Sequence, residues 1–162
     1  MSEFTGAVLG AQLSKLDSMI SQLRRNAEAI YNGIKNLAGI RLRHRPYPEG
    51  DIGYGVYFEM KDKAVRNRCI QELRKRKVPA STLTGSVLLP VHESVMNKRM
   101  RHPDWPSFNS PEGKKIKYGP DSCRQTLDIF DRFVQVRVGA KYTQRINDYI
   151  IDNIRRFYKS LG

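Results

Sequence analysis

Residues 9–37, LGAQLSKLDSMISQLRRNAEAIYNGIKNL, carry an apolar side chain at 9, 13, 16, 20, 23, 27, 30, 34 and 37. The steps alternate strictly between four and three, which puts Leu9, Leu13, Leu16, Ile20, Leu23, Ala27, Ile30, Ile34 and Leu37 on one seam of a single helix. Ser2 or Thr5 can cap its start and Gly39 can end it. At about 1.5 Å per residue such a helix runs roughly 50 Å, longer than a small domain is wide. The expectation is therefore a helix that reaches beyond its own domain. A coiled-coil dimer is the alternative reading of the seam. Gly6, Ala7, Gly10 and Ala11 favour the former, because small residues admit a closely approaching backbone that a plain zipper does not need.

Downstream, Ile40-Arg41-Leu42-Arg43 alternates, and Pro46-Tyr47-Pro48-Glu49-Gly50-Asp51 breaks the pattern. Residues 53–60 alternate again, with Tyr54, Val56, Phe58 and Met60 predicted on one face of a strand. Asp62 can cap a helix from Lys63 to about Lys77, its inner face Val65, Cys69, Ile70 and Leu73. Val134, Val136 and Val138 make a further strand, and Thr143 opens a last helix with Ile146, Ile150, Ile154, Phe157 and Leu161 predicted inside. Between about 78 and 125 six prolines and three glycines, Gly85 among them, dissolve the periodicity; a stretch of that length suits a functional loop. The spacing thus predicts an α+β chain: a long helix over 1–38, then a small domain over 39–162 in which helices pack on a mainly antiparallel sheet.

The 162 residues suffice for one domain with a real core. No apolar run approaches the ~20 residues that span a bilayer, and the first residues lack a signal peptide's basic and apolar regions, so the expected location is the cytoplasm. Cys69 and Cys123 are too few for a disulfide scaffold and have no neighbours at metal-ligand spacing. Lys and Arg number 29 against 16 Asp and Glu, a net charge of +13. Such an excess suits a nucleic acid, a phosphorylated small molecule or an acidic partner. Basic clusters occur at Arg74-Lys75-Arg76-Lys77, where cations oppose a helix C-terminal dipole, and at Lys114, Lys115 and Lys117. No RNA-recognition consensus accompanies them, so nucleic-acid binding is expected to be weak and non-specific. Trp105 between Pro103 and Pro106 reads as a loop anchor, and His44 and His102 as loop residues without a catalytic partner.

Residues 1–17, MSEFTGAVLGAQLSKLD, resemble the opening of the long linking helix in DegT/DnrJ/StrS-type aminotransferases, fold-type I pyridoxal-phosphate enzymes that aminate keto sugars and cyclitols. Arg24-Arg25-Asn26-Ala27, the Gly50-Asp51-Ile52-Gly53 turn before Phe58, Pro90-Val91-His92 and residues 123–134 are also similar to that family. The resemblance implies the C-terminal small domain, with His92 lining the substrate cleft and the 78–125 loop shaping specificity. It implies pyridoxal phosphate in the complete enzyme, a nucleotide-sugar or cyclitol substrate, a large cofactor-binding domain or subunit as partner, and a homo-oligomer. The family's cofactor-binding lysine, phosphate cradle and pyridine-nitrogen acid lie upstream of this helix, and no substitute is visible here. The expectation is a chain that holds no cofactor alone, carries no catalytic residue or metal ligand, and is inactive by itself. A basic nucleic-acid-binding module is the alternative.

Overall fold

The computed structural model describes residues 2–82, 88–100 and 108–161; Gly85, His102, Pro103, Trp105 and Pro106 lie outside them. Among the described residues no helix is long and apolar enough to cross a membrane.

The N-terminal seam forms two helices, α1 (Glu3–Leu13) and α2 (Leu16–Ile34), in place of the unbroken rod that the spacing predicts. The Ser2 hydroxyl accepts from the Thr5 amide and caps α1. The interruption is local chemistry at Ser14-Lys15. The Ser14 hydroxyl donates back to Ala11 O at 3.0 Å, and the Lys15 amide turns to Gln12 O at 3.1 Å, three residues back. Serine competing for backbone carbonyls in this way bends helices. Only the second half of the seam meets the core: Ala27, Ile30 and Ile34 are buried, and Leu23 and Leu37 partly so.

The sheet comprises β1 (Arg41–Leu42), β2 (Gly55–Glu59), β3 (Ala80–Ser81) and β4 (Phe133–Arg137), in the order β1-β2-β4-β3 with every pair antiparallel. Val56 faces Val136 and Phe58 faces Val134 across the central pair, with Ala80 opposite Val136 on the far side. β2 and β3 therefore run parallel with β4 between them, joined by α3 (Lys63–Lys75) as a split β-α-β unit. α2, α3 and α7 (Gln144–Lys159) bury one sheet face: Val56, Phe58, Val134 and Val136 pack with Ile30, Ile34, Cys69, Leu73, Ile150, Ile154 and Phe157. Gly33 lets α2 and α7 meet, since a Cβ there would lie 2.5 Å from Ile151 Cδ1.

A side-chain network fixes α2 against α7, and caps at both ends fix α3. Asn26 on α2 donates to Gly139 O (2.9 Å) and Ala140 O (3.3 Å) beyond β4, and accepts from the buried Asn147 of α7 at 3.0 Å. Asp62 caps α3 through Val65 N, and the helix closes with Val78 N on Leu73 O and Lys77 N on Arg74 O. That is a Schellman closure, with Lys77 at φ 61 in the position glycine usually takes.

Three predicted placements shift. Ile146 and Leu161 are exposed, because α7 is rotated to turn Asn147 and Ile151 inward. Tyr54 is exposed as well, lying before β2 begins. The 78–125 stretch holds β3, the one-turn helices α4 (Glu93–Met96) and α5 (Pro111–Lys115) and the start of α6 (Arg124–Arg132), which runs directly into β4.

Candidate functional site

The first feature of note is α1, which contributes no residue to the core among the described residues. None of its residues is buried; Phe4 is 80% exposed and Leu13 66%, Val8 and Leu9 are also open, and so are Leu16 and Met19 at the start of α2. At 3.6 residues per turn Phe4, Val8 and Ala11 fall on one side, and Leu9 and Leu13 about 140° away. Apolar residues on two sides mark a helix that is enclosed when assembled. A Cβ added at Gly6 or Gly10 meets nothing within 4 Å, so this chain itself gives no reason for glycine there.

The second is the sheet face opposite the helices. Alternation sends Tyr57, Gln135 and Ser81 to that side, one from each of three neighbouring strands. Gln135 Nε2 donates to the Tyr57 hydroxyl at 3.1 Å, and the Ser81 hydroxyl donates to Gln135 Oε1 at 3.3 Å. The Arg43 guanidinium lies 4.8 Å from the Tyr57 ring centroid and pairs with Asp51 at 2.5 Å. Asp51 is itself fixed, accepting at Oδ1 from Gly53 N and at its carbonyl from Arg24 Nε of α2. Gly53 is required: it has φ +76, and a Cβ would strike the Leu23 and Arg24 backbone at 2.9 Å. This explains the Gly50–Gly53 turn in the sequence. Burial pushes the Tyr57 phenol above its ordinary value, so it remains protonated, accepts from Gln135 and keeps its own proton to donate outward. Beside the row, Glu59 is buried between Arg41 (3.2 Å) and Arg132.

His92 stands apart from that row. It is exposed, and its Nδ1 accepts from Ser94 N at 3.3 Å as the cap of α4. An accepting Nδ1 places the ring proton on Nε2, the nitrogen left to meet a ligand. The surrounding segment is organised by Lys98, whose ammonium donates to Gly113 O and Lys114 O at 2.9 Å each, and by an edge-on contact of Phe108 with Tyr118. The basic run at 74–77 is dispersed: Arg74 Nε bonds Ala80 O, Lys75 pairs with Glu72, and Lys77 occupies the helix closure.

The residues present do not fit pyridoxal phosphate. All lysines lie among the described residues, and all are exposed except the half-buried Lys98, whose ammonium is held by carbonyls. A lysine that condenses with a cofactor is desolvated or set beside another cation, and none here is so placed. Among the described residues no three His, Cys, Asp or Glu side chains could share a metal ion.

No family model and no curated protein matches the sequence. Solved structures do. 3-Amino-5-hydroxybenzoic acid (AHBA) synthase aligns over 99% of this chain and 39% of its own, at TM-score 0.68 and 16% identity. DesV of S. venezuelae aligns over 94% of this chain and 35% of its own, at TM-score 0.65 and 18% identity. A DegT DnrJ EryC1 StrS aminotransferase from Brucella abortus aligns over 94% and 34%, at TM-score 0.61 and 15% identity. The chain spans little more than a third of these proteins' length, and within that span it has the α+β small-domain fold of DegT/DnrJ/EryC1/StrS-type aminotransferases.

Proposed function

We propose that this chain is the small-domain part of a pyridoxal-phosphate-dependent aminotransferase that aminates a keto sugar or cyclitol, inactive until joined to the large domain that carries the cofactor. The observation that carries the reading is α1. It presents apolar residues on two sides, buries none of them, and holds open space at Gly6 and Gly10. In a fold whose relatives continue for about twice this length again, the large domain is the natural occupant of that surface.

When bound in the complete enzyme, the cofactor supplies the amino-transfer chemistry; this chain's part is binding and enclosure. α1 docks the two parts, and the segment around His92 closes over the substrate. There the Nε2–H of His92 donates to a substrate oxygen, a task for which the Ser94 contact presets the tautomer. The docking half of this reading is tested by co-purifying this chain with a separately expressed large domain. A stable complex is expected, and Gly10→Leu should abolish it without lowering this chain's own helicity or Tm, because a Cβ at Gly10 meets nothing within 4 Å among the described residues and leucine favours a helix more than glycine does. A complex unaffected by Gly10→Leu and by Gly6→Leu removes α1 as the docking element.

A further inference from the structure

Away from α1 and the open sheet face, α3 and α7 enclose a groove of about 380 Å³ on the outer side of the helical layer. Leu73 and Phe157, both buried, form its floor, and Arg68, Arg76 and Arg156 stand around it. The one acid in the lining is Glu72, and it is already engaged, accepting from Lys75 Nζ at 2.8 Å. The Lys75 contact also holds the Glu72 carboxyl below its ordinary range, so it stays an anion committed to that partner. None of the three arginines has a carboxylate within salt-bridge distance among the described residues. Helix C-terminal dipoles account for two of them, since Arg76 caps α3 and Arg156 sits in the last turn of α7. They do not account for Arg68, which lies in the second turn of α3, with its guanidinium 5.5 Å from the Phe157 ring centroid. A guanidinium held over a ring face spends none of its N–H donors on that contact, so they stay available to a phosphate or carboxylate.

We propose that this groove binds a phosphate ester of a small molecule, a nucleoside diphosphate being the best-fitting class. The phosphates sit among the guanidiniums of Arg68, Arg76 and Arg156, and the body lies along the alkyl stems of these arginines above the Leu73 and Phe157 floor. The volume lies within the range of small-molecule sites. Two or three unpaired guanidiniums supply charge-assisted bonds that a single surface cation does not. The site is separate from α1 and from the His92 segment assigned to the amination substrate, and it holds whether or not that assignment does.

The test is calorimetric titration of the whole chain with ADP and, separately, with inorganic phosphate, at about 50 and 150 mM salt. ADP should bind saturably at one site. Inorganic phosphate should bind at least fivefold more weakly, because it lacks a body to rest on the floor. Arg68→Gln with Arg156→Gln should weaken ADP at least tenfold, whereas Arg145→Gln, an exposed arginine at the other end of α7, should change it less than twofold. Circular dichroism of each variant confirms that the fold is retained. Absence of saturable ADP binding, an equal loss with Arg145→Gln, or a single-stranded RNA oligomer binding more tightly than ADP and surviving the double substitution would each overturn the proposal.

Discussion

Asn26→Ala tests the packing that fixes α2 against the rest of the fold. The Asn26 amide makes two bonds to carbonyls beyond β4 and accepts one from Asn147, which is 2% exposed and whose Oδ1 has no partner. Removing the Asn26 side chain leaves the whole buried Asn147 amide unsatisfied, a cost of about 1–3 kcal/mol, and loses the bond to Gly139 O, about 1 kcal/mol more. The expected destabilisation is about 2–4 kcal/mol, roughly 5–12 °C in Tm for a chain of this size. Asn147→Ala should cost only about 1 kcal/mol, because it deletes the unsatisfied oxygen and strands only Asn26 Oδ1, on a half-buried residue that water can reach. The double variant should then fall at least 1 kcal/mol short of the sum, since the two residues share one bond. Urea unfolding followed by circular dichroism measures all three. If Asn26→Ala lies within about 0.5 kcal/mol of the parent, or the two changes add, the network does not position α2.

Lys77→Gly should stabilise the chain by about 1 kcal/mol in the same assay, because Lys77 holds φ 61 at a helix closure; a loss of stability would contradict it. Burial pushes the Cys69 thiol up to about 12, so the folded chain disfavours the thiolate that the unfolded chain forms readily. Stability from that group is complete below about pH 9 and falls as pH rises towards 12, at up to ~1.4 kcal/mol per pH unit. Tyr158, also pushed up by burial, adds to the fall at higher pH, and Cys69→Ala should flatten the lower part of the profile. Phe4→Glu with Val8→Glu should reduce self-association of the isolated chain in sedimentation. Glutamate favours a helix, and at Phe4 in the first turn of α1 it also suits the dipole, so melting of the helix does not account for the effect; a parent chain that is monomeric at high concentration contradicts the reading.

The elements with strong periodicity were legible in the sequence. Val134 and Val136 alternate into the core, Asp62 caps α3, and Ala27, Ile30 and Ile34 face inward as their spacing requires. Interruptions governed by side-chain–backbone competition were not. Ser14 gives no periodic signal, yet its bond to Ala11 O accompanies the break between α1 and α2. α6 has no counterpart among the elements that the spacing predicts, because it is nine residues long and Leu127, Ile129 and Phe130 are too few apolar side chains to define a period; none of it is buried. Gly53 in the candidate site and Asn26 on α2 stand inside motifs whose physical reason appears only in the fold: a backbone crossing in one case, a bond 121 residues away in the other. The Tyr57–Gln135–Ser81 row and the Arg68–Arg156 groove join residues far apart in sequence and of ordinary type, so spacing could not bring them together. His92 was reached through resemblance; the structure adds its tautomer and its place at the start of α4.

The most direct measurement is amino transfer by a reconstituted pair. Co-expressed with the cofactor-binding large domain, the chain should yield a complex that aminates a keto-sugar nucleotide or a keto cyclitol, while each part alone does not. Within that complex His92→Ala should lower turnover at least tenfold and leave cofactor occupancy unchanged. A soluble complex that aminates no keto-sugar nucleotide or cyclitol contradicts the substrate assignment, and failure of any complex to form contradicts the account of the chain as an aminotransferase small domain.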